Sequence, residues 1–362
     1  FPYTTLFRSI PALPRNPPMT ESLAGGAVAP LSIRATAVVA SSVIRAARQL
    51  LTDLERSRRI DAAVLRGAME AAFGASDATG VWNWKTAYNA CEAATVLLLR
   101  RYGAVMRTKA TSPAAMLPML MRIASLLPTQ TRRSVESESL QQFSTPIGLA
   151  FVASRAAAIT PTDVVLEPSA GTGLLAILAE LDGASLVLNE FAESRAGILA
   201  QLFPGASTTQ FDAAHINDHL DAGIVPDVVL MNPPFNDPSR HRASPDGVRE
   251  RAHVATATTL ANWVHAARRL LRSNGQLAMI WRADGIADVL AALDRGFGSL
   301  ELLPVHADAT SPAIRILVRA TKGGRAPTRL HAALLLNDGA GVPNKWVQEI
   351  LAGKGELPLA RR

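Results

Sequence analysis

Hydrophobic and polar positions along the chain fall into two regimes. From Ser32 to about Leu127, apolar residues recur at spacings of three and four, the period that lays them on one stripe of an α-helix. One run carries Ala37, Val38, Ile44, Leu50, Leu51 and Leu54, and a second carries Ala62, Val64, Leu65, Ala68 and Ala72. A third passes from Trp84 through Tyr88, Cys91 and Ala94 to Leu98. Pro113 opens a fourth, holding Met116, Leu117, Leu120, Ile123 and Leu126. Trp82, Trp84 and Tyr88 fit packing within this helical layer better than an exposed stacking platform. Thr131-Arg132-Arg133 and the polar run to Ser139 read as a linker, after which the period changes.

Short apolar runs of strand length then alternate with helical stretches, the signature of a parallel sheet with crossover helices. Strands are predicted at Asp163–Glu167, Ser185–Glu190, Ser207–Phe211, Asp227–Met231, Gln276–Arg282, Glu301–Val305 and Ile314–Arg319. The longest helix between them spans about Arg251 to Leu271. The pattern therefore predicts an α/β fold, with a doubly wound, mostly parallel seven-stranded sheet over residues 140–325. A helical N-terminal region at 31–130 precedes it and a C-terminal extension at 326–362 follows. Residues 1–30, with Pro11, Pro14, Pro17 and Pro18, are expected to form a disordered leader, and Phe1 to about Ser9 do not have the pattern of a secretory signal.

Composition changes this picture little. Of the 362 residues, 48% are apolar, enough for a sizeable core, and only 5% are aromatic, which suits helices on a sheet better than a β-sandwich. The lone cysteine, Cys91, cannot form an internal disulfide and fits a reducing, cytoplasmic setting. No run of about eighteen uncharged apolar residues occurs, so no membrane span is expected. The formal net charge of +7 favours an anionic partner such as nucleic acid.

Candidate chemistry begins where the first predicted strand ends, in Glu167-Pro168-Ser169-Ala170-Gly171-Thr172-Gly173. Glycines at a strand-to-helix turn let the backbone approach a ligand, and a helix beginning near Gly173 would aim its amides there. Gly171-Thr172-Gly173-Leu174-Leu175-Ala176 also fits the dinucleotide fingerprint. Glu167, four positions before the first glycine, argues against that alternative, because it would repel a pyrophosphate. The same carboxylate suits the ammonium and sulfonium of S-adenosylmethionine. Glu190, ending the next strand, can accept from ribose hydroxyls, and Asp212 from an adenine amino group. Gln142-Phe143-Ser144-Thr145-Pro146 can pack over the methionine end of that cofactor; read more plainly, Thr145 caps a helix with Pro146 at its first position.

Asn232-Pro233-Pro234-Phe235 follows the fourth strand. An exocyclic adenine amine is a poor nucleophile because its lone pair is delocalised into the ring. The Asn232 side-chain oxygen and the Pro233 carbonyl can each accept one amine hydrogen, turning the lone pair toward a methyl donor. The prolines stiffen the loop, and Phe235 offers a face for an extruded base. The basic loop at Arg240-His241-Arg242 and Arg249 to Arg251 can contact phosphates. The histidines have no metal-ligand spacing, so no metal is expected, and no phosphate-binding loop of an NTPase is present.

Phe143 to Pro146, Glu167 to Gly173, Glu190, Asp212 and Asn232 to Phe235 resemble, in order, the motifs of Rossmann-like S-adenosylmethionine-dependent adenine-N6 methyltransferases. The resemblance implies cofactor binding by Thr145, Glu167, Gly171, Gly173, Glu190 and Asp212, and target-amine binding by Asn232, Pro233, Pro234 and Phe235. It implies tRNA or DNA as substrate; protein glutamine-N5 methylation and a catalytically silent nucleic-acid-binding scaffold are the alternatives. Residues from about 80 to 235, with Trp82-Asn83-Trp84-Lys85, are similar to the methyltransferase segment of bacterial strawberry notch-like proteins. Residues from about 230 onward, with Asp237 to Asp246 and Arg315 to Pro327, resemble a tRNA adenine-N6 methyltransferase acting on valine tRNA. The two resemblances meet at Asn232 to Phe235, the pattern that a recombined reading frame gives.

Overall fold

The structure is a computed structural model that describes residues 30–110, 112, 115–130, 144–234 and 247–335, with the backbone alone at 30–35 and 247–258. The expected leader as far as residue 29, the 131–139 linker, Phe143, Phe235 and the loop holding Arg240, His241 and Arg242 lie outside the described residues.

Five parallel strands make one side of the sheet: β1 (Val164–Glu167), β2 (Ser185–Asn189), β3 (Ser207–Thr209), β4 (Val228–Met231) and β5 (Gln276–Arg282). β6 (Phe297–His306) and β7 (Ala313–Lys322) follow as an antiparallel hairpin, with β7 also antiparallel to β5. The order is β3-β2-β1-β4-β5-β7-β6, so the chain leaves β1 toward β2 and β3 and later returns to its other side at β4. That reversal creates a crevice beyond the carboxyl ends of β1 and β4, where ligands of open α/β sheets bind. The expected α/β, mostly parallel sheet is thus present. It is wider than the seven strands predicted, because the two-residue strands β8 (Arg329–Leu330) and β9 (Leu334–Leu335) pair with β6. β6 and β7 also run past their predicted bounds. They lie toward the sheet edge, where the pairs Phe297–Lys322, Gly298–Thr321 and His306–Ala313 continue the ladder beyond the predicted runs.

The period of two along each strand divides the core. Val165, Val228, Leu230, Ala278, Ile280 and Leu317 face one layer of helices, while Leu166, Val229, Met231, Leu277, Met279, Trp281, Ile316 and Val318 face the other. The second layer is α8 (Gly247–Leu270) with α9 (Ile286–Leu293). The first contains α5 (Ile147–Ala157), α6 (Ala176–Leu181) and α7 (Glu193–Leu202), together with the helical N-terminal region: α1 (Pro30–Glu55), α2 (Ala62–Phe73), α3 (Trp84–Lys109) and α4 (Met116–Leu126). Asp61 caps α2 by accepting from Ala63 and Val64, and Asn83 caps α3 by accepting from Thr86. Trp82 and Tyr88 are buried in this layer, as expected of core residues.

α3 reaches the sheet layer directly. Gly103 lies against Leu181, where an added Cβ would stand 2.6 Å from the leucine side chain. Three residues earlier, Arg100 makes a bidentate pair with Glu180 at 2.6 and 2.8 Å and donates to the Leu202 carbonyl. Its guanidinium also lies 4.7 Å from the Phe203 ring centre. The N-terminal helices and the sheet consequently share one continuous hydrophobic core.

Candidate active site

A cleft opens at the strand reversal, lined by Thr145, Glu167, Gly171 and Asn232 together with Glu92, Ser144, Thr172 and Arg195. β1 ends on Glu167, and the backbone then turns through two left-handed glycines, Gly171 at φ 57° and Gly173 at φ 89°. They serve different ends. A Cβ at Gly173 would lie 2.2 Å from the Phe203 ring, so that glycine is required by packing. A Cβ at Gly171 would meet only the Arg195 guanidinium, at 3.4 Å, and this glycine faces the cleft. The two left-handed residues delay the helix: α6 starts at Ala176, not near Gly173 as the sequence suggests. The first helical amide is then spent internally, since the Ala176 backbone N–H donates to Glu167.

Glu167 is buried, and its Oε2 has no hydrogen-bond partner among the described residues. Burial, with the nearby Glu190 adding to it, raises its carboxyl well above the usual range against the opposing Ala176 hydrogen bond. Glu190 stands behind Gly171, off the cleft wall. Its Oε2 accepts from the Gly171 backbone N–H at 2.8 Å and its Oε1 from that of Ala192 at 2.9 Å. Asp212 is exposed and accepts from the Ala214 backbone in a local turn, likewise off the wall. Of the acids named from sequence, the structure brings only Glu167 into the cleft.

Across from Glu167, the Asn232 amide nitrogen donates to the Thr145 hydroxyl at 2.9 Å. This fixes which way the amide points and leaves Oδ1 buried without a partner among the described residues. Pro233 is buried and Pro234 half-buried beside it. Thr145 does not cap α5: the cap position falls on Pro146, no side chain caps the helix, and the Thr145 hydroxyl accepts from Asn232 instead.

Two residues in the cleft wall were not singled out from sequence. Glu92 comes from α3 and Arg195 from α7, both almost wholly buried. The Thr172 hydroxyl donates to Glu92 at 2.6 Å and the Gln130 amide at 2.7 Å, while Arg195 stands 4.0 Å away. Burial pushes the Glu92 carboxyl up, but Lys85, Arg195 and the hydroxyls of Ser144 and Thr172 outweigh it and bring the net shift below the usual range. A third unforeseen residue, Asn189, ties the strand ends. Its side chain donates to the carbonyls of Pro168 and Phe211 and accepts from Thr209 and the Phe211 amide. Among the described residues, no group of His, Cys, Asp or Glu is placed to hold a metal, and no helix is long and apolar enough to cross a membrane.

No family model and no curated protein matches the chain. Solved structures do. One is a Listeria monocytogenes protein whose assignment as a class I S-adenosylmethionine-dependent methyltransferase is itself an inference; the match has a TM-score of 0.44 at 14% identity and covers 89% of this chain and 99% of that one. An Agrobacterium tumefaciens protein described as a predicted O-methyltransferase matches with a TM-score of 0.41 at 23% identity over 56% of this chain and 96% of that one. TrmN from Thermus thermophilus matches with a TM-score of 0.38 at 19% identity over 54% of this chain and 58% of that one.

Proposed function

We propose that the chain is an S-adenosylmethionine-dependent methyltransferase acting on the N6 amino group of adenine in nucleic acid, tRNA or DNA. The observation that carries this reading is the pair of unpartnered oxygens in one cleft, Glu167 Oε2 and Asn232 Oδ1. An unpaired buried acceptor costs on the order of 1–3 kcal/mol, so each is held ready for a donor that the described residues do not supply. A carboxyl at Glu167 fits the cationic methionine end of the cofactor, and Gly171 leaves the wall open for it. The strand order and the polar wall give further support to S-adenosylmethionine over a dinucleotide, whose pyrophosphate would face Glu167.

When bound, the cofactor supplies an electrophilic methyl group on sulfur. The residues of this chain then have to present the nucleophile. Asn232 Oδ1, oriented by Thr145, accepts one hydrogen of the target amine, and the Pro233 carbonyl accepts the other. With both hydrogens held, the nitrogen lone pair is turned out of the ring and toward the methyl carbon. Phe235, next along the chain, would stack on the base, and the positive net charge favours a polyanionic substrate. Glu190 contributes by holding the Gly171 amide, and Gly173 by keeping the loop against Phe203. Asp212 is the acid left to reach the adenine end.

Incubation with methyl-labelled S-adenosylmethionine and separated tRNA, DNA and protein fractions tests the reading. Label recovered as N6-methyladenine after digestion to nucleosides is the expected result; label in protein glutamine would overturn it. Asn232→Ala is expected to abolish transfer while calorimetry still detects cofactor binding. Loss of both together would count against the role given to Asn232.

A further inference from the structure

Buried beside Gly171 is a cation whose needs are only partly met. Arg195 is 4% exposed, yet Ser144 Oγ, at 3.1 Å from Nη2, is its one hydrogen-bond acceptor among the described residues. Its carboxylate neighbour, Glu92, stands at 4.0 Å, and its Nε has no partner. A guanidinium has five N–H donors in a planar fork suited to a carboxylate, so this side chain has capacity left for a planar anion. Glu92 has none to spare. Gln130, Thr172 and Ser144 already donate to it, and Lys85 and Arg195 surround it with positive charge.

The cleft is therefore polarised. Glu167, with its free Oε2, faces it from the end of β1, and Arg195, with its free Nε, faces it from α7. We propose that Arg195 receives the α-carboxylate of the cofactor's methionine end, and that Glu92, from helix α3 of the N-terminal region, is the positioning residue that holds Arg195 for that contact. The inference rests on the cofactor reading above. A zwitterion laid between the two walls puts its ammonium toward Glu167 and its carboxylate toward Arg195. Helix α3, which supplies none of the sheet motifs, is then an integral part of the cofactor site: Glu92 bonds the glycine loop through Thr172 and the segment before α5 through Ser144.

The test compares three ligands by calorimetry on the full chain. S-adenosylmethionine carries the carboxylate, its decarboxylated analogue lacks that group alone, and methylthioadenosine lacks the whole amino-acid end. The unmodified protein is expected to prefer S-adenosylmethionine over the decarboxylated analogue about tenfold or more, the size of a hydrogen bond to a charged group. Arg195→Gln should bring that ratio close to one, Arg195→Lys should restore part of it, and Glu92→Gln should lower it to an intermediate value. Methylthioadenosine should bind all four proteins alike. A ratio near one in the unmodified protein overturns the proposal while leaving the cofactor reading intact. Arg195→Gln weakening all three ligands equally also overturns it, because that is what a merely structural arginine gives. Failure of the unmodified protein to bind any of the three removes the cofactor reading and this inference with it.

Discussion

Glu167 and Glu92 line the same cleft, yet their surroundings drive their carboxyl groups in opposite directions. Glu92 sits among cations and hydroxyls and stays ionised. Glu167 is buried beside another acid, and in the free protein its raised value keeps it protonated above the usual carboxylate range. A cationic ligand prefers the ionised form, so binding must release a proton whenever the pH lies below that raised value. Affinity for S-adenosylmethionine is therefore expected to rise with pH, by as much as tenfold per unit, until Glu167 ionises unaided. The rise begins above the usual carboxylate range and ends where Glu167 ionises in the free protein, with the ligand's own amino group charged throughout. Calorimetry in buffers of different ionisation enthalpy should detect the released proton. In Glu167→Gln both the slope and the proton should vanish and binding should weaken; a flat profile in the unmodified protein would sink the assignment. The same shift has a sign for stability. A raised carboxyl favours the fold below its unfolded value, and that contribution is lost as pH rises through the folded one, so Glu167 makes the ligand-free protein less stable across that interval.

Between β1 and α6, the two glycines separate a binding role from a packing role, and this gives a paired prediction. Gly173→Ala must place a methyl group inside the Phe203 ring while holding φ at 89°, and should cost on the order of 2–4 kcal/mol, read as a lowered denaturation midpoint. Gly171→Ala meets only the end of a flexible arginine, so its loss is confined to about 1–2 kcal/mol of backbone strain, but it crowds the cleft and should weaken cofactor binding more than Gly173→Ala does at equal folded fraction. Equal stability losses would show that Phe203 can move aside. The sequence announced both glycines without distinguishing them, because the partner that does so, Phe203, is distant along the chain. The same limit runs through the rest of the reading. The seven main strands follow from local apolar runs and were legible; β8 was not, since Arg329 and Leu330 are both exposed and make no period. Glu167, Thr145 and Asn232 could be named from motif logic, and they do meet. Whether the carboxylates of Glu190 and Asp212 also turn to the cleft depends on which backbone amides they find, Gly171 and Ala192 for one and Ala214 for the other. Glu92 belongs to no motif in the sequence, and only the packing of α3 against α6 and α7 carries it to the cleft.

That packing makes the helical region and the sheet mechanically continuous. Arg100 on α3 grips Glu180 and the Leu202 carbonyl and lies over Phe203, and Phe203 in turn seats Gly173 of the glycine loop. Arg107, farther along the same helix, bonds the Leu181 carbonyl and Asp182. The first hydrophobic core runs from Leu50 in α1 through Leu99 in α3 to Ile177 in α6, so that among the described residues the N-terminal helices and the sheet share one buried cluster. Cooperative opening follows from such continuity, because neither part can expose its inner face without stripping the other. Native-state hydrogen exchange should therefore give amides of α3 and of β4 the same opening free energy, and a ligand at a hundred times its Kd should raise both by about 2.7 kcal/mol. Arg100→Ala removes a half-buried bidentate pair and should lower both by about 2 kcal/mol together. If α3 instead exchanged at a lower free energy than β4 and did not respond to the ligand, the helical region would be a separately folding attachment. A cofactor site that depends on Glu92 could not then be built from it.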